Sequence, residues 1–123
     1  MGEIRVRAAR GAIRVERDEA DVVLSATERL LSAMLERNDV AETDELVSAF
    51  FTVTDDLRSA FPAEAARRMG LGRVPLLCAR EIPVTGSMPM VIRILLHFHT
   101  GREPGEVTHV YLDGAESLRD DLG

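Results

Sequence analysis

Two apolar runs in the second half of the chain each carry ionised side chains. Leu76-Leu77-Cys78-Ala79-Arg80-Glu81-Ile82 holds the only cysteine and a glutamate, and Met90-Val91-Ile92-Arg93-Ile94-Leu95-Leu96-His97-Phe98 holds an arginine. A charge in a run that reads as a buried strand is costly unless it is paired. Glu81 and Arg93 therefore need each other, other protein groups, or a ligand of opposite charge. A thiolate nucleophile at Cys78 would require a base beside it, and a lone cysteine in an apolar strand is far more often inert core. His97, His99 and His109 offer imidazoles on strands. No carboxylate at helical ligand spacing and no second cysteine accompany them, so a surface histidine row is the simpler reading than a metal site. Gly70-Leu71-Gly72 is too short to cradle a phosphate, and no dinucleotide or P-loop pattern is present. What remains is a set of fixed charges and a phenol: arginines in or at the ends of strands, Glu81 and Tyr111. Such a set suits a small dianion bearing a hydroxyl, handled by positioning and electrostatic stabilisation with no covalent step.

Composition bounds the rest. The chain has 123 residues, 46% of them hydrophobic, which suits one domain, 1–123, with a real core. A net charge of −6 argues against general nucleic-acid binding. All 15 basic residues are arginine. Codon bias in a GC-rich genome accounts for most of that excess, while particular arginines retain the planar fork that suits carboxylates. The first residues lack the apolar core of a signal peptide and the longest apolar run is far short of a membrane span, so a cytoplasmic location is expected. A single cysteine agrees with a reducing compartment.

The elements that must position these residues follow from periodicity. Ile4 to Val15 reads as a strand broken at Gly11, with Ile4, Val6, Ala8 and Arg10 as an inward row and Arg5 and Arg7 outward. Spacing alone favours a solvated strand-end role for Arg10. Asp18 to Asn38 predicts a long helix, capped by Asp18, with Val23, Leu24, Thr27, Leu30, Leu31, Met34 and Leu35 on one stripe. Leu46 to Thr54 predicts a strand whose Val47, Ala49, Phe51 and Val53 form an apolar face. A short helix follows, with Pro62 at its first position, Glu64 paired one turn on to Arg67 or Arg68, and Gly70 at its end. Phe61, beside that proline, reads as a local packing plug. Three strands complete the chain, over 74–82, 90–100 and 107–113. Alternation sets Cys78 and Glu81 on opposite faces, so both serve one site only if the strand bulges or ends between them. The tail, about 114–123, is too short to classify. The order strand, long helix, strand, short helix, three strands gives an α/β layering (α+β) around one mixed five-stranded sheet. One long helix covers only part of that sheet. The other face is expected to be buried by subunit association, since strands apolar on both rows are not left to water.

The chain resembles the monofunctional chorismate mutases of the AroH type, the trimeric Bacillus-type class. The resemblance is carried by Arg10-Gly11-Ala12 with Val15-Glu16-Arg17-Asp18, Thr54-Asp55-Asp56-Leu57 with Phe61-Pro62-Ala63 and Arg67, and Val74-Pro75-Leu76-Leu77-Cys78 with Glu81 and Val84-Thr85-Gly86. Ile92-Arg93, His109-Val110-Tyr111-Leu112 and Leu118-Arg119-Asp120-Asp121-Leu122 complete it, in order and at matching spacing. The resemblance implies the Claisen rearrangement of chorismate to prephenate, on the route to phenylalanine and tyrosine, without cofactor or metal. It also implies a pseudo-α/β-barrel homotrimer with active sites in clefts between subunits. By the same resemblance, Arg93 sits against the ether oxygen, Glu81 accepts a hydrogen bond from the ring hydroxyl, and Arg10 and Tyr111 hold a carboxylate. Cys78 lies beside Glu81, Phe61 and Leu77 provide apolar walls, and Arg67, Leu118 and Arg119 match positions near the cleft mouth. Glu64 departs from the pattern, falling where the Bacillus enzyme has a lysine. Two other readings compete: an enamine or imine deaminase on a similar trimeric fold, and a non-catalytic trimer that binds a carboxylate metabolite.

Overall fold

The computed structural model describes residues 2–121. Its elements are β1 (Arg5–Arg14), α1 (Ala20–Arg37), β2 (Leu46–Val53), α2 (Ala63–Arg68), β3 (Leu76–Arg80), β4 (Val91–Thr100), β5 (Val110–Leu112) and α3 (Leu118–Asp121), with short 3-10 turns at Thr43–Glu45 and Pro104–Glu106. The strands form one sheet in the order β3-β2-β4-β1-β5. β4 is antiparallel to both β1 and β2, whereas the outer pairs β1/β5 and β2/β3 are parallel. The sheet is mixed and five-stranded, as expected from the sequence.

The pleat sorts the side chains into two faces. Ala9 and Ile13 of β1 stand with Ile92, Ile94, Leu96 and Phe98 of β4, Ala49 and Phe51 of β2 and Val110 of β5, and together with α1 and α2 they enclose the core. α1 contributes Val23, Leu30, Leu31 and Met34 to it, the stripe that its 3.6-residue period predicts. The opposite face carries Val6, Ala8, Arg10 and Ala12, then Arg93, Leu95 and His97, then Phe50 and Thr52, and Tyr111 of β5. No helix lies over the middle of this face.

Several sequence expectations change in the folded chain. β1 runs unbroken through Gly11. The glycine is there for close approach, because a Cβ on it would lie 2.4 Å from the sulfur of Met34 in α1. The row expected to point inward, Ile4, Val6, Ala8 and Arg10, lies instead on the uncovered face, with Ile4 and Val6 exposed. Arg5 and Arg7 share the helix-facing row with Ala9, and Arg7 is half-buried, its Nε donating to the Arg102 carbonyl at 3.0 Å. Helix α1 starts at Ala20, and Asp18 does not cap it; its carboxylate accepts from the backbone amides of Arg58 and Ser59 at 3.0–3.1 Å, tying the loop after β2 to the start of α1. Pro62 stands one position earlier than expected, before the first helical residue of α2. Glu64 pairs with both Arg67 and Arg68, and Gly70 ends the helix with a φ of 92°. β3 and β5 are shorter than predicted, and the tail forms a single helical turn, with Leu122 outside the described residues. No helix among the described residues is long and apolar enough to cross a membrane.

Candidate active site

On the uncovered face a cavity of about 260 Å³ is lined by Arg10, Gly11 and Ala12 of β1, Phe50 and Thr52 of β2, Arg93, Ile94 and Leu95 of β4, Tyr111 of β5, and Glu81. Register puts these residues together. Ala12, Arg93 and Thr52 face one another across three adjacent strands, and Ala12 also pairs with Tyr111 on the far side. Glu81 lies one residue beyond β3, where its amide still donates to the Val53 carbonyl at 2.9 Å, so its side chain continues the alternation onto the open face.

Of the partners the sequence left open to them, Arg93 and Glu81 have each other, with Thr52 as a further partner of the glutamate. Arg93 Nε stands 3.7 Å from Glu81 Oε2, an ion pair too long for a hydrogen bond, and the glutamate accepts instead from the hydroxyl of Thr52. Arg93 Nε is buried and without a hydrogen-bond partner among the described residues. A buried cationic donor without a hydrogen-bond partner is costly, and the only opposite charge beside this one among the described residues is Glu81. The guanidinium of Arg10 pairs with no carboxylate among the described residues and opens onto the same space, so the cavity carries two cations against one anion. Arg10 is half-buried and mid-strand, which replaces the solvated strand-end role that spacing alone favoured.

The remaining candidates lie elsewhere. Cys78 faces the core side with Phe51, its register partner, and lines a separate cavity of about 320 Å³ with Phe61, Leu57, Ala60 and Arg80. Phe61 is 73% exposed and plugs nothing in this chain. β3 ends between Cys78 and Glu81, and the two still point to opposite faces. Leu77, 59% exposed, is on the open face beside Phe50, away from the cavity. Arg67 is held by Glu64 on the surface of α2. Leu118 packs behind Tyr111 and Ala12 in a small second core with Val91 and Ala115, and Arg119 is exposed on the same turn. Among the described residues no group of three His, Cys, Asp or Glu side chains is placed to hold a metal ion. His97 is engaged by the Ser48 hydroxyl at 3.2 Å and by a T-shaped contact with the Phe50 ring.

Thr52 and Phe50 line the cavity and were not singled out for it from the sequence, nor was His109, which stands outside the cavity against the Arg10 backbone. The signal for Thr52 was its place in the row opposite Phe51 and Val53. His109 had none, since its ring serves the β1 backbone: Nδ1 accepts the Arg10 N–H at 2.9 Å.

A single mixed sheet with α1 and α2 on one face and, on the other, a cavity lined by two arginines and a glutamate defines a small α+β protein. The chain belongs to the chorismate mutase type I family, whose model matches residues 6–122. It is 54% identical over 117 residues to the chorismate mutase AroH of Thermus thermophilus, covering 95% of this chain and 96% of that protein. The chorismate mutase AroH of Bacillus subtilis is 36% identical over 118 residues, covering 95% of this chain and 92% of the relative. A solved structure of a chorismate mutase from Clostridium thermocellum superposes with a TM-score of 0.88 at 44% identity, covering 91% of this chain and 99% of that one.

Proposed function

We propose that this chain rearranges chorismate to prephenate in the cavity on its open sheet face, with Arg93 and Glu81 carrying the chemistry. As a member of the type I chorismate mutase family it is an isomerase. The observation that supports the site is the buried, unmatched Nε of Arg93, 3.7 Å from Glu81. In the rearrangement the carbon–oxygen bond to the enolpyruvyl group breaks as a carbon–carbon bond forms within the same molecule. No proton is transferred and no covalent enzyme intermediate forms. Negative charge grows on the ether oxygen, and a fixed N–H donor aimed at that oxygen stabilises the transition state more than the ground state. Arg93 supplies that donor. Glu81, oriented by Thr52, accepts the hydrogen bond of the ring hydroxyl, and Arg10 with Tyr111 holds a carboxylate.

The family pattern needs Phe61, Arg67, Leu77 and Cys78 around the same substrate, and in one chain they lie away from the Arg93 cavity. A neighbouring copy that brings its Phe61/Cys78 region against this chain's Arg93 region unites both sets. The reading is therefore a homotrimer with its sites in the clefts between subunits, Leu118 and Arg119 standing at the mouth. The exposed apolar side chains Val6, Phe50 and Leu77 support burial of the open face in that way. The product feeds phenylalanine and tyrosine formation, in the cytoplasm.

The test is loss of chorismate absorbance on adding purified protein, with prephenate confirmed by acid conversion to phenylpyruvate. Turnover is the expected outcome. A folded protein that leaves chorismate untouched and acts on 2-aminoacrylate-type imines overturns the reading.

A further inference from the structure

His109 stands outside the cavity, yet it holds the backbone of a residue that lines it. The parallel ladder between β1 and β5 begins at the pair Gly11/Val110, one step past Arg10 and His109. There the backbone of β5 offers Arg10 no partner, and the imidazole replaces it: His109 Nδ1 accepts the Arg10 N–H at 2.9 Å. Only a ring with a lone pair on Nδ1 can do this, so the ring is neutral with its proton on Nε2.

The ring is held in place from both sides. Toward the C-terminus Val110 and Tyr111 enter the β5 ladder. Toward the N-terminus Thr108 is clamped by Asn38, which is 1% exposed and sits at the end of α1. The Thr108 amide donates to Asn38 Oδ1 at 2.8 Å and Asn38 Nδ2 donates to the Thr108 carbonyl at 2.9 Å. Among the described residues the charged groups that act on the ring are Arg10 of β1 and Arg119 of α3, both cations. Burial, then Arg10 and then Arg119, lowers its pKa below the ordinary histidine value.

We infer that His109 is a positioning residue: as a neutral acceptor it fixes the β1 backbone at Arg10, and thereby the guanidinium that meets the substrate anion. Protonation turns Nδ1 into a donor facing another donor and adds a third cation beside Arg10 and Arg119. Arg10 is then released from its position. This rests on the reading that Arg10 grips a substrate carboxylate.

The test uses the full chain. In wild-type protein labelled with 15N, the His109 ring nitrogens should report the Nε2–H tautomer at pH 7.5, and the Arg10 amide should titrate with the ring at a common midpoint below 6.5. H109A should raise the KM for chorismate about tenfold with a much smaller change in kcat, the loss of one hydrogen bond at a binding residue. H109N, whose amide oxygen reaches the same N–H and does not titrate, should restore KM and remove the fall in kcat/KM that accompanies protonation of the ring below the ordinary histidine pKa. The inference is overturned by an Arg10 amide that ignores the ring's titration, by an Nδ1–H tautomer, or by equal damage in H109A and H109N. The spectroscopic measurement needs no turnover, so it still decides the matter if H109A does not fold or if chorismate is not the substrate.

Discussion

Arg93 is the residue on which the proposed chemistry turns. Arg93→Ala removes a guanidinium that lines the cavity but little packing, and on the proposed mechanism loss of one such preorganised group costs about 3–4 kcal/mol of transition-state stabilisation, a rate loss of roughly a hundredfold to a thousandfold. Steady-state kinetics on a variant with unchanged circular dichroism checks this; near-normal kcat would remove Arg93 from the mechanism. Cys78→Ser should leave kcat within a fewfold of wild type, because no step uses a thiolate; complete loss of turnover in an intact assembly would contradict that. Residue-level legibility was uneven for a physical reason. Arg93 and Glu81 stood out because charges in apolar runs demand partners, and they do meet at 3.7 Å. Thr52 and His109 look like ordinary strand residues, and their partners lie 29 and 99 positions away. His109 also sets a pH dependence of stability. Its folded pKa is lowered while the unfolded chain titrates near 6.5, so the unfolded state binds more protons in the window below that value. The contribution is fully present above about pH 6.5 and is lost as pH falls through the window. Urea midpoints measured from pH 8 to pH 5 should show a decline that H109N flattens.

At the scale of elements, α1 is seated on β1 by an absence of side chain. Gly11→Ala would drive a Cβ to 2.4 Å from Met34 Sδ and 3.2 Å from Leu30 Cδ1, with Met34 fully buried and unable to swing into solvent. Overpacking of this kind costs about 1–3 kcal/mol. Gly11→Ala should lower the urea midpoint accordingly, and an unchanged midpoint would show that α1 moves away freely. Asn38→Ala strands the N–H and C=O of Thr108 at the end of α1, at about 1–3 kcal/mol for the unsatisfied groups. Alternation and 3.6-residue periodicity located all five strands and the two main helices, because each buries one face. They misread Gly11 as a break and Asp18 as a cap. A local propensity cannot know that a helix will press on the glycine, or that two amides 40 residues on will claim the carboxylate.

For the whole molecule, the proposed trimer divides each site between copies, and this makes a prediction that single-chain sites forbid. An Arg93→Ala chain and a Phe61→Asp chain, each inactive alone, should regain activity when unfolded together and refolded, since a minority of clefts then combine two intact halves. Persistent inactivity of a properly assembled mixture would place the whole site in one chain. The sequence made an expectation of subunit association readable, as strands apolar on both faces, but not the division of residues that the proposed trimer would make. Alternation assigns a side chain to a face and says nothing of what that face will meet. The sheet order carries one more consequence. β1 and β2 never touch as neighbours; each pairs with β4, which is made after both. On the ribosome, then, a chain synthesised as far as Gly86 can lay α1 and α2 beside the β2/β3 pair but has no strand to join them to β1. Arg10 can share a cleft with Glu81 only once β4 has been made to join their strands, so the full sheet and the cavity are completed late in synthesis.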